Sequence, residues 1–368
     1  GSEMCVRIRN IGLDLGFLNN RLNVSFDAYI RDTKDMLMAG KTLPGVYGAS
    51  SPRMNVADLR TKGWEASITW GDSFTLASKP FNYRIMAGIG DNTSKVTKYD
   101  NPNRTLTDPY EGQQLGEIWG YVVDGYFKTD EEARNYKVDQ SFVNQMINAS
   151  ALDNGLHAGD LKFVDLDGNN KIEQTTSAND RKDMKVIGNS LPRYNYNFGI
   201  SADWYGIDFS VLFQGIGKQN WYPGAETSMF WGPYSRPYAS FIPSDFMSQV
   251  WSEENTDAYF PRPRGYVALG SNRELAVVNT KYLQNLAYCR LKNLSIGYTL
   301  PDKWLSKIGF EKIRVYFSGE NLLTFTKLHS DYIDPEQASA SNSWKTSKSD
   351  ANIYPWAKTY SFGVDITF

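Results

Sequence analysis

A strict alternation of large apolar residues with small or polar ones recurs along the chain and reaches its last residue. The final segment has a large apolar side chain at every second position: Tyr360, Phe362, Val364, Ile366 and Phe368. Successive side chains of an extended strand point to opposite faces, so this pattern gives a strand one apolar face and one polar face. The sequence therefore predicts β-strands with two different faces.

About nine such strands are predicted, in residues 11–17, 22–30, 64–70, 81–89, 194–204, 207–213, 294–300, 313–317 and 356–368. Short and long links alternate between them without exception. The short links are residues 18–21, 71–80, 205–206 and 301–311, and the long ones lie near residues 39–58, 98–190, 219–281 and 327–355. An antiparallel up-and-down sheet gathers its short turns at one rim and its long loops at the other, as transmembrane β-barrels of the bacterial outer membrane do.

A soluble β-sandwich or a lipocalin-like barrel would use the same alternation with its apolar face turned inward. Two features favour a membrane barrel. Tyrosine and tryptophan stand at strand ends, as interfacial aromatic girdles require: Trp64, Trp70, Tyr194, Trp204, Trp356 and Tyr360. The opposite face carries both signs of charge, which suits a water-filled lumen. The predicted lumen-facing residues are Asp27, Arg31, Glu65, Arg84 and Arg314, together with Asp208 and Glu320.

Composition limits the other classes of protein. With a formal net charge of −2, the composition gives no indication of a surface that binds nucleic acid. The sequence has no run of about 18 apolar residues, which excludes a helical membrane protein. Cys5 and Cys289 are too few for a disulfide framework and wrongly spaced for zinc. Residues 1–9 break the alternation that begins at Asn10, so they are predicted to be a non-native or fragment-boundary segment, with residues 10–368 forming the barrel portion.

Four segments carry a family resemblance. They are residues 10–22 (NIGLDLGFLNNRL), 160–173 (DLKFVDLDGNNKIE), 288–301 (YCRLKNLSIGYTLP) and 314–326 (RVYFSGENLLTFT). These segments resemble, in turn, a hairpin, an aspartate-rich loop and two consecutive strands of the SusC/RagA-type TonB-linked outer-membrane proteins. The resemblance covers nearly all of residues 10–368. The departures are Cys289, where the family often has leucine, and an insertion at residues 174–178.

The resemblance implies the C-terminal part of a TonB-dependent receptor barrel. Such a barrel has about 22 strands around an N-terminal plug, so these strands would be the last nine. An odd number of strands cannot close a bacterial barrel, which also predicts a longer chain. The resemblance implies that a plug and a TonB-contacting segment would belong to the missing N-terminal part. The family imports oligosaccharides or peptides across the bacterial outer membrane, and the resemblance implies that this chain lies in that membrane and crosses it several times. The implied partners are a SusD-like lipoprotein, the TonB complex, outer-membrane lipid and an oligosaccharide or peptide substrate, with no nucleic acid.

Residues 165–173 resemble the start of an EF-hand calcium loop, in which clustered hard oxygens surround a hard cation. The usual glycine at position six is Asn170, and position twelve is Thr176 rather than glutamate. Asp180, which follows the insertion, could supply the missing carboxylate. The candidate calcium ligands are Asp165, Asp167, Asn169, Glu173 and Asp180. The alternative is an Asx-rich turn held by side-chain-to-backbone hydrogen bonds.

Aromatic residues crowd the long link at residues 219–281. The candidates for contact with a substrate or a partner are Trp221, Tyr222, Trp231, Tyr234 and Trp251. Rings with polar tips stack on sugars and also dominate protein interfaces. The alternative is that these rings pack the loop into a compact cap.

Catalysis has little support in the sequence. His157 and His329 sit in no recognisable motif, and neither a phosphate-binding loop nor a Rossmann signature occurs. The chain is therefore predicted not to be an enzyme. The predicted function is TonB-dependent import through the outer membrane. The alternatives are a passive outer-membrane porin or a barrel hydrolase that uses one of the two histidines.

Overall fold

One antiparallel sheet, called the wall sheet below, organises the part of the chain that the computed structural model describes. That part is residues 4–40, 43–50, 52–143, 155–236, 241–270, 272–305, 309–338, 348–349 and 354–368. Within it the wall sheet has nine strands: β1 (Cys5–Phe17), β2 (Leu22–Ala39), β3 (Arg53–Leu76), β4 (Lys79–Lys98), β5 (Arg193–Trp204), β6 (Ile207–Lys218), β7 (Tyr288–Thr299), β8 (Lys312–Thr326) and β9 (Thr359–Thr367). Each strand pairs antiparallel with the strand that follows it. The predicted all-β, up-and-down fold is confirmed.

Rows of paired residues across the sheet separate the two faces. One row is Leu22, Trp70, Ile85, Ile200, Val211 and Leu294. Another row is Asp14, Ser25, Ser67, Gly88, Asn197, Gln214, Arg290 and Thr324. The first row lies on what we call the apolar face, and the second on the polar face. The apolar face is also open to its surroundings, since Ile11 is 79% exposed and Phe362 is 83% exposed.

Strands β3 and β4 extend further toward their shared turn than the sequence predicts, and their expected link at residues 71–80 shrinks to Ala77 and Ser78. Gly71 and Asp72, which look like turn residues, continue the pairing and face Arg84 and Tyr83. Ala77 and Ser78 have φ values of 49° and 61°. This left-handed pair is the geometry of the two-residue turns that match the twist of a hairpin. Strand β1 also begins earlier than its alternation suggests, because residues 5–9 pair with residues 30–34.

A β-bulge near the start of β7 changes which face of the sheet its first residues lie on. Leu212 on β6 pairs with Asn293, but the next residue, Phe213, pairs with Leu291, so Lys292 is left over. One extra residue shifts the alternation by one position. Arg290 therefore lies on the polar face beside Gln214, whereas an unbroken alternation from Leu294 would have put it on the apolar face.

Glycines opposite tyrosines tighten the wall on its polar face. Tyr29 pairs with Gly63 and Tyr316 pairs with Gly363. In both pairs the tyrosine ring occupies the space that a Cβ on the glycine would need. Aromatic cover of a cross-strand glycine is a known way to fix register in curved sheets.

Aromatic rings collect on the apolar face near the short turns. Phe74 and Phe81 lie with ring centroids 5.0 Å apart, and Phe81 and Tyr83 are 6.1 Å apart. The indole of Trp70 donates a hydrogen bond to the Tyr83 hydroxyl over 2.9 Å. At the other side of the sheet the last residue, Phe368, contacts Phe310 with centroids 5.3 Å apart.

The long links carry the remaining elements. The helices are Asp130–Arg134, Ser228–Trp231 and Asp302–Leu305, and the 3-10 turns are Gly45–Tyr47, Gly232–Tyr234, Phe246–Gln249 and Tyr266–Leu269. Short strands pair as Glu117–Tyr121 with Met184–Asn189 and as Val123–Tyr126 with Leu161–Phe163. Asn220–Pro223 lies between Gln284–Asn285 and Lys348–Ser349. Links 99–192 and 219–287 share one buried core, and we call this pair of links the loop cap. None of the helices in the described ranges has the length and apolar composition needed to cross a bilayer.

Candidate transport surface and loop cap

The five predicted lumen-facing residues lie together on the polar face of the wall sheet. Asp27 pairs with Glu65, and Arg31 is two alternations further along the same strand. Arg84 pairs with Ser201, and Arg314 pairs with Thr299. The pairing register connects all these positions to one face. That this face lines a lumen stays a prediction.

A notch of about 410 Å³ opens on the polar face between β2, β3, β4 and β5. Its polar lining on this face is Ser25, Asp27, Tyr29, Glu65, Ser67, Asn92, Asn195 and Asn197; Asp91 also lines the notch, although it pairs with Trp64 on the apolar face. Gly88 and Gly90 also line the notch and add no side chain that would fill it. Hydroxyl, amide and carboxylate groups around one small space suit a ligand with many hydrogen-bonding groups.

Ion pairs and unpaired charges share the polar face. Arg314 donates to both carboxylate oxygens of Asp208, over 2.8 Å from Nε and 2.6 Å from Nη2, and reaches Asp365 over 3.3 Å. Such a two-pronged contact is the strongest form of ion pair. Asp27 and Glu65 face each other with like charge and make no ion pair within the described residues. The surface therefore offers carboxylates that are available to a solute.

A buried ion cluster ties link 327–358 to the wall. Arg290 donates from Nη2 to Asp334 Oδ1 and from Nη1 to Glu336 Oε2, each over 2.6 Å. The side chains of Arg290 and Asp334 are only 3% and 4% exposed. Lys292, the bulge residue, adds a contact of 2.8 Å to Glu336. The bulge thus supplies the geometry that fastens this link.

A larger cavity of about 900 Å³ lies beside this cluster. Arg290, Thr324 and Asp334 contribute polar groups to its wall. The aromatic side chains that line it are Phe241, Tyr332, Tyr354 and Trp356. Flat rings next to hydrogen-bonding groups can hold a sugar ring or a peptide side chain.

The five aromatic candidates of link 219–287 are buried in the core of the loop cap. Their exposed fractions are 0% for Trp221, Tyr222 and Trp231, 1% for Tyr234 and 7% for Trp251. Trp231, for example, packs edge-on against Phe230 and Tyr282 with centroids 4.8 Å and 5.2 Å apart. In this structure the rings pack the cap, as the alternative interpretation has it, and present almost no surface to a ligand.

The polar tips of Tyr222, Trp231 and Tyr234 have partners inside the cap, whereas the buried Trp251 Nε1 has none among the described residues. The Tyr222 hydroxyl donates to the carbonyl of Leu275 over 2.8 Å, and the Trp231 indole donates to the carbonyl of Gly224 over 2.9 Å. Burial raises the pKa of Tyr222 well above its ordinary value, so the phenol stays neutral. A buried aromatic core that hydrogen-bonds most of its polar tips to the backbone fixes the shape of the cap.

A second buried ion cluster joins the two links of the loop cap. Asp160 belongs to link 99–192, whereas Arg262, Arg264 and Glu274 belong to link 219–287. Arg262 lies 3.0 Å from Asp160, and Arg264 contacts both Asp160 and Glu274. The Asp160 and Glu274 side chains are completely buried. Sequence reasoning missed this cluster, because nothing in one sequence links residues 104 positions apart.

The aspartate-rich segment forms tight Asx-type turns. Asp165 accepts hydrogen bonds from the backbone N–H of Gly168 and of Asn170, both over 2.7 Å. Asp167 accepts one from the backbone N–H of Asn169 over 3.1 Å. Burial acts to raise the pKa of Asp165, but hydrogen bonds from the N–H groups of Asn170, Gly168 and Asn169, together with the Asp167 side chain, hold the pKa below its usual value.

Asp183 is the residue that sequence reasoning missed in this segment. Carboxylate oxygens of Asp165, Asp167 and Asp183 lie within 4.8 Å of one another. Burial raises the pKa of Asp183, although the N–H groups of Leu166 and Glu173 act in the other direction. Three such oxygens are the chemistry that a hard cation such as calcium uses.

The other candidate calcium ligands point elsewhere. Glu173 makes an ion pair with Lys182 over 3.3 Å. The Asn169 amide donates to Asp167 and to Glu173, both over 3.2 Å. Asp180 lies in a turn in which its N–H bonds the carbonyl of Ser177 over 3.1 Å. Of the five candidates, the carboxylate group contains Asp165 and Asp167.

The two histidines have structural surroundings. His157 Nδ1 lies 3.9 Å from Asp130 Oδ1. The His329 ring stacks on Tyr259 with centroids 3.5 Å apart, and its Nε2 bonds Gln249 Oε1 over 2.8 Å. Among the described residues neither ring nitrogen has a serine, threonine or cysteine side chain as hydrogen-bond partner.

Known proteins resemble the chain along nearly its whole length. The TonB-dependent receptor P3 of Formosa agariphila is 28% identical over an alignment of 378 positions that covers 98% of this chain and 34% of that receptor. The TonB-dependent receptor SusC of Bacteroides thetaiotaomicron is 23% identical over 361 residues, or 98% of this chain and 31% of SusC. No protein-family model matches. The chain spans about a third of the length of these relatives.

Solved structures agree in fold. The structure of the RagAB peptide transporter superimposes with a TM-score of 0.70 at 21% identity, over 99% of this chain and 35% of that one. The RagAB peptide importer in the closed-closed state gives a TM-score of 0.66 at 24% identity, over 98% of this chain and 35% of that one. The resemblance to SusC/RagA-type TonB-dependent receptors is confirmed, and the proteins matched are named as receptors, transporters and importers.

Proposed function

We propose that this chain, a relative of the TonB-dependent receptors, forms part of the wall of an outer-membrane importer. Its apolar face lies against lipid and its polar face lines the lumen. The observation that carries this proposal is the pair of rows across the wall sheet, one apolar over six strands and one polar over eight. A soluble sheet would bury its apolar row under a second layer, whereas here Ile11 and Phe362 are open.

The depth of the apolar face fits a bilayer. On β3 the side chains between Trp64 and Trp70 on this face are Ala66 and Ile68, so aromatic rings bracket an apolar stretch. The nine strand residues from Lys62 to Trp70 span about 26 Å, close to the height of the lipid band of an outer-membrane barrel. The short turns then lie at the periplasmic rim and the loop cap at the cell surface.

The substrate class follows from the polar face and from the relatives. Mixed charges, amides and hydroxyls suit an oligosaccharide, and the family resemblance includes SusC. A peptide is the second candidate, since a structural neighbour is titled a peptide transporter. A SusD-like lipoprotein over the loop cap, and a TonB complex that acts on an upstream plug, complete the proposed machine. Residues 10–368 are the proposed barrel portion of it.

Uptake by cells that carry the full-length protein tests this proposal. We expect labelled maltoheptaose, or a labelled tryptic peptide mixture, to enter only when TonB is active and a lipoprotein to co-purify with the receptor. Entry that persists without TonB would indicate a passive porin. Cleavage of the probe at the cell surface would indicate a hydrolase. Uptake of neither probe in cells with the protein in the outer membrane would contradict the importer.

A further inference from the structure

A group of basic side chains lies on the apolar face of the wall sheet, at the end of β1–β4 away from the short turns. The group, called the basic patch below, consists of Arg7, Arg9, Lys34, Arg60, Lys62 and Lys95. All six residues are exposed. Pairing brings them side by side: Arg7, Asp32, Arg60 and Lys95 form one row, and Arg9, Ile30, Lys62 and Thr93 form the next.

The patch has far more positive than negative charge. Its acidic member is Asp32, which accepts a hydrogen bond of 2.6 Å from Arg60 Nε. Asp91, in the row below, is held by two contacts of 2.5 Å from Arg193. Lys62 and Lys95 have no ion-pair partner among the described residues. Repulsion between such neighbours is unfavourable unless an anion lies among them.

The position of the patch decides what kind of anion fits. Lys62 lies two residues beyond Trp64 on the same face, which is about 7 Å along the strand. Trp64 is the aromatic ring at the upper edge of the apolar stretch, so Lys62 and Arg60 stand at the level of lipid headgroups. Further around the sheet, the residues on the apolar face toward the same end of β8 are Leu323 and Phe325, both more than half exposed. The positive charge is therefore local to β1–β4.

We propose that the basic patch binds the phosphate groups of an anionic lipid of the outer leaflet. Arginine holds phosphate oxygens with its planar fork, and lysine adds point charges. Clusters of such side chains at a membrane surface recognise phosphorylated headgroups. The inference rests on the proposed membrane location of the wall sheet but not on import or on the substrate.

Native mass spectrometry of the full-length protein in detergent, titrated with diphosphoryl lipid A, tests the patch. The test variant is Lys62→Gln with Lys95→Gln, which removes two free charges and leaves the Arg60–Asp32 pair intact. We expect binding about 30-fold weaker, since each of the two basic groups near a lipid surface contributes roughly a fivefold gain. The matched control, Lys79→Gln with Lys303→Gln, makes the same charge change at the short-turn rim and is expected to bind as the unaltered protein does.

Four outcomes would overturn the inference. They are unchanged binding by the test variant, equal weakening by the control, equal binding of lipid A without phosphates, and equal affinity for inorganic phosphate in solution. Membrane fractionation and heat-dependent gel mobility are read on the same samples. If the unaltered protein is absent from the outer membrane, the proposed function fails; if it is present and lipid binding ignores the patch, the inference alone fails.

Discussion

Arg290 on the wall sheet and Asp334 in the last long link form a buried ion pair, with 2.6 Å between Nη2 and Oδ1. Replacement of Arg290 by methionine keeps much of the side-chain volume but leaves Asp334 without its charged partner and Glu336 with Lys292 alone. Loss of one member of a buried pair costs about 3 kcal/mol or more. We expect link 327–358 to detach locally, with hydrogen exchange near Ile333 faster by about 100-fold or more. The exposed Lys303→Gln is the control, and equal exchange in both variants would show that the pair does not hold the link.

The cluster around Asp160 leads to a similar prediction for the loop cap. In Asp160→Asn the side chain keeps its shape, but Arg262 and Arg264 lose a buried counter-charge. We expect the cap to lose about 3 kcal/mol of stability and to become sensitive to protease while the wall sheet stays folded. Limited proteolysis of the protein in detergent measures this. The exposed Glu254→Gln serves as the control, and a resistant Asp160→Asn cap would contradict the assigned role of the cluster.

Acid is expected to loosen the cap through His329. Burial lowers the pKa of this ring below its ordinary value of 6.5, and the nearby Lys281 charge acts in the same direction. As the pH falls, the histidine of the unfolded chain takes up its proton before that of the folded chain. The stability that is present above about pH 6.5 is therefore lost progressively as the pH falls to the folded-state pKa. We expect hydrogen exchange at residues 249–260 to accelerate between about pH 7 and pH 5.

His329→Phe keeps a ring against Tyr259 and removes the titration. The part of the pH effect that belongs to His329 should disappear in this variant. Burial also lowers the pKa of His157, so a smaller pH effect is expected to remain. Identical pH profiles for the variant and the unaltered protein would rule out His329 as the source.

Gly63 is expected to be intolerant of a side chain, because Tyr29 fills the space above it. Gly63→Ala should destabilise the wall by about 2 kcal/mol, as overpacking of a tight contact does. The double variant Gly63→Ala with Tyr29→Ser should recover part of that loss. At Gly71 the nearest atom to an added Cβ is 3.8 Å away, so Gly71→Ala is the tolerated control. The urea midpoint of the heat-modifiable barrel band measures all three, and equal midpoints for Gly63→Ala and Gly71→Ala would refute the steric explanation.

Alternation alone predicted the nature of the wall sheet, because each strand has its pattern in local sequence. Its limits lie where local composition misleads, as at Gly71 and Asp72, which resemble a turn but stay paired. The same pattern put Asp27, Arg31, Glu65, Arg84 and Arg314 on one face, because parity fixes facing along a regular strand.

Contacts between distant segments escaped the sequence. Asp160 meets Arg264 and Arg290 meets Asp334 only after the long links fold back, and no spacing rule covers such pairs. The sequence likewise did not show that Asp183 lies beside Asp165 and Asp167, because only the folded loop brings these carboxylates together. The aromatic residues of link 219–287 were recognised as a group, but burial inside a cap and exposure to a ligand call for the same residue types.

The extra residue at Lys292 lets one strand serve two surroundings. Below it, residues 293–299 alternate in the phase that suits a lipid-covered wall, and above it the opposite phase turns Arg290 toward Asp334 and Glu336. Insertions or deletions in β7 therefore have consequences that depend on whether their length is odd or even. Deletion of Lys292 alone would remove the bulge and leave Arg290 on the polar face, because Leu291 and Asn293 already pair with the consecutive residues Phe213 and Leu212. Deletion of Leu291 as well would turn Arg290 to the apolar face and release the link that it holds.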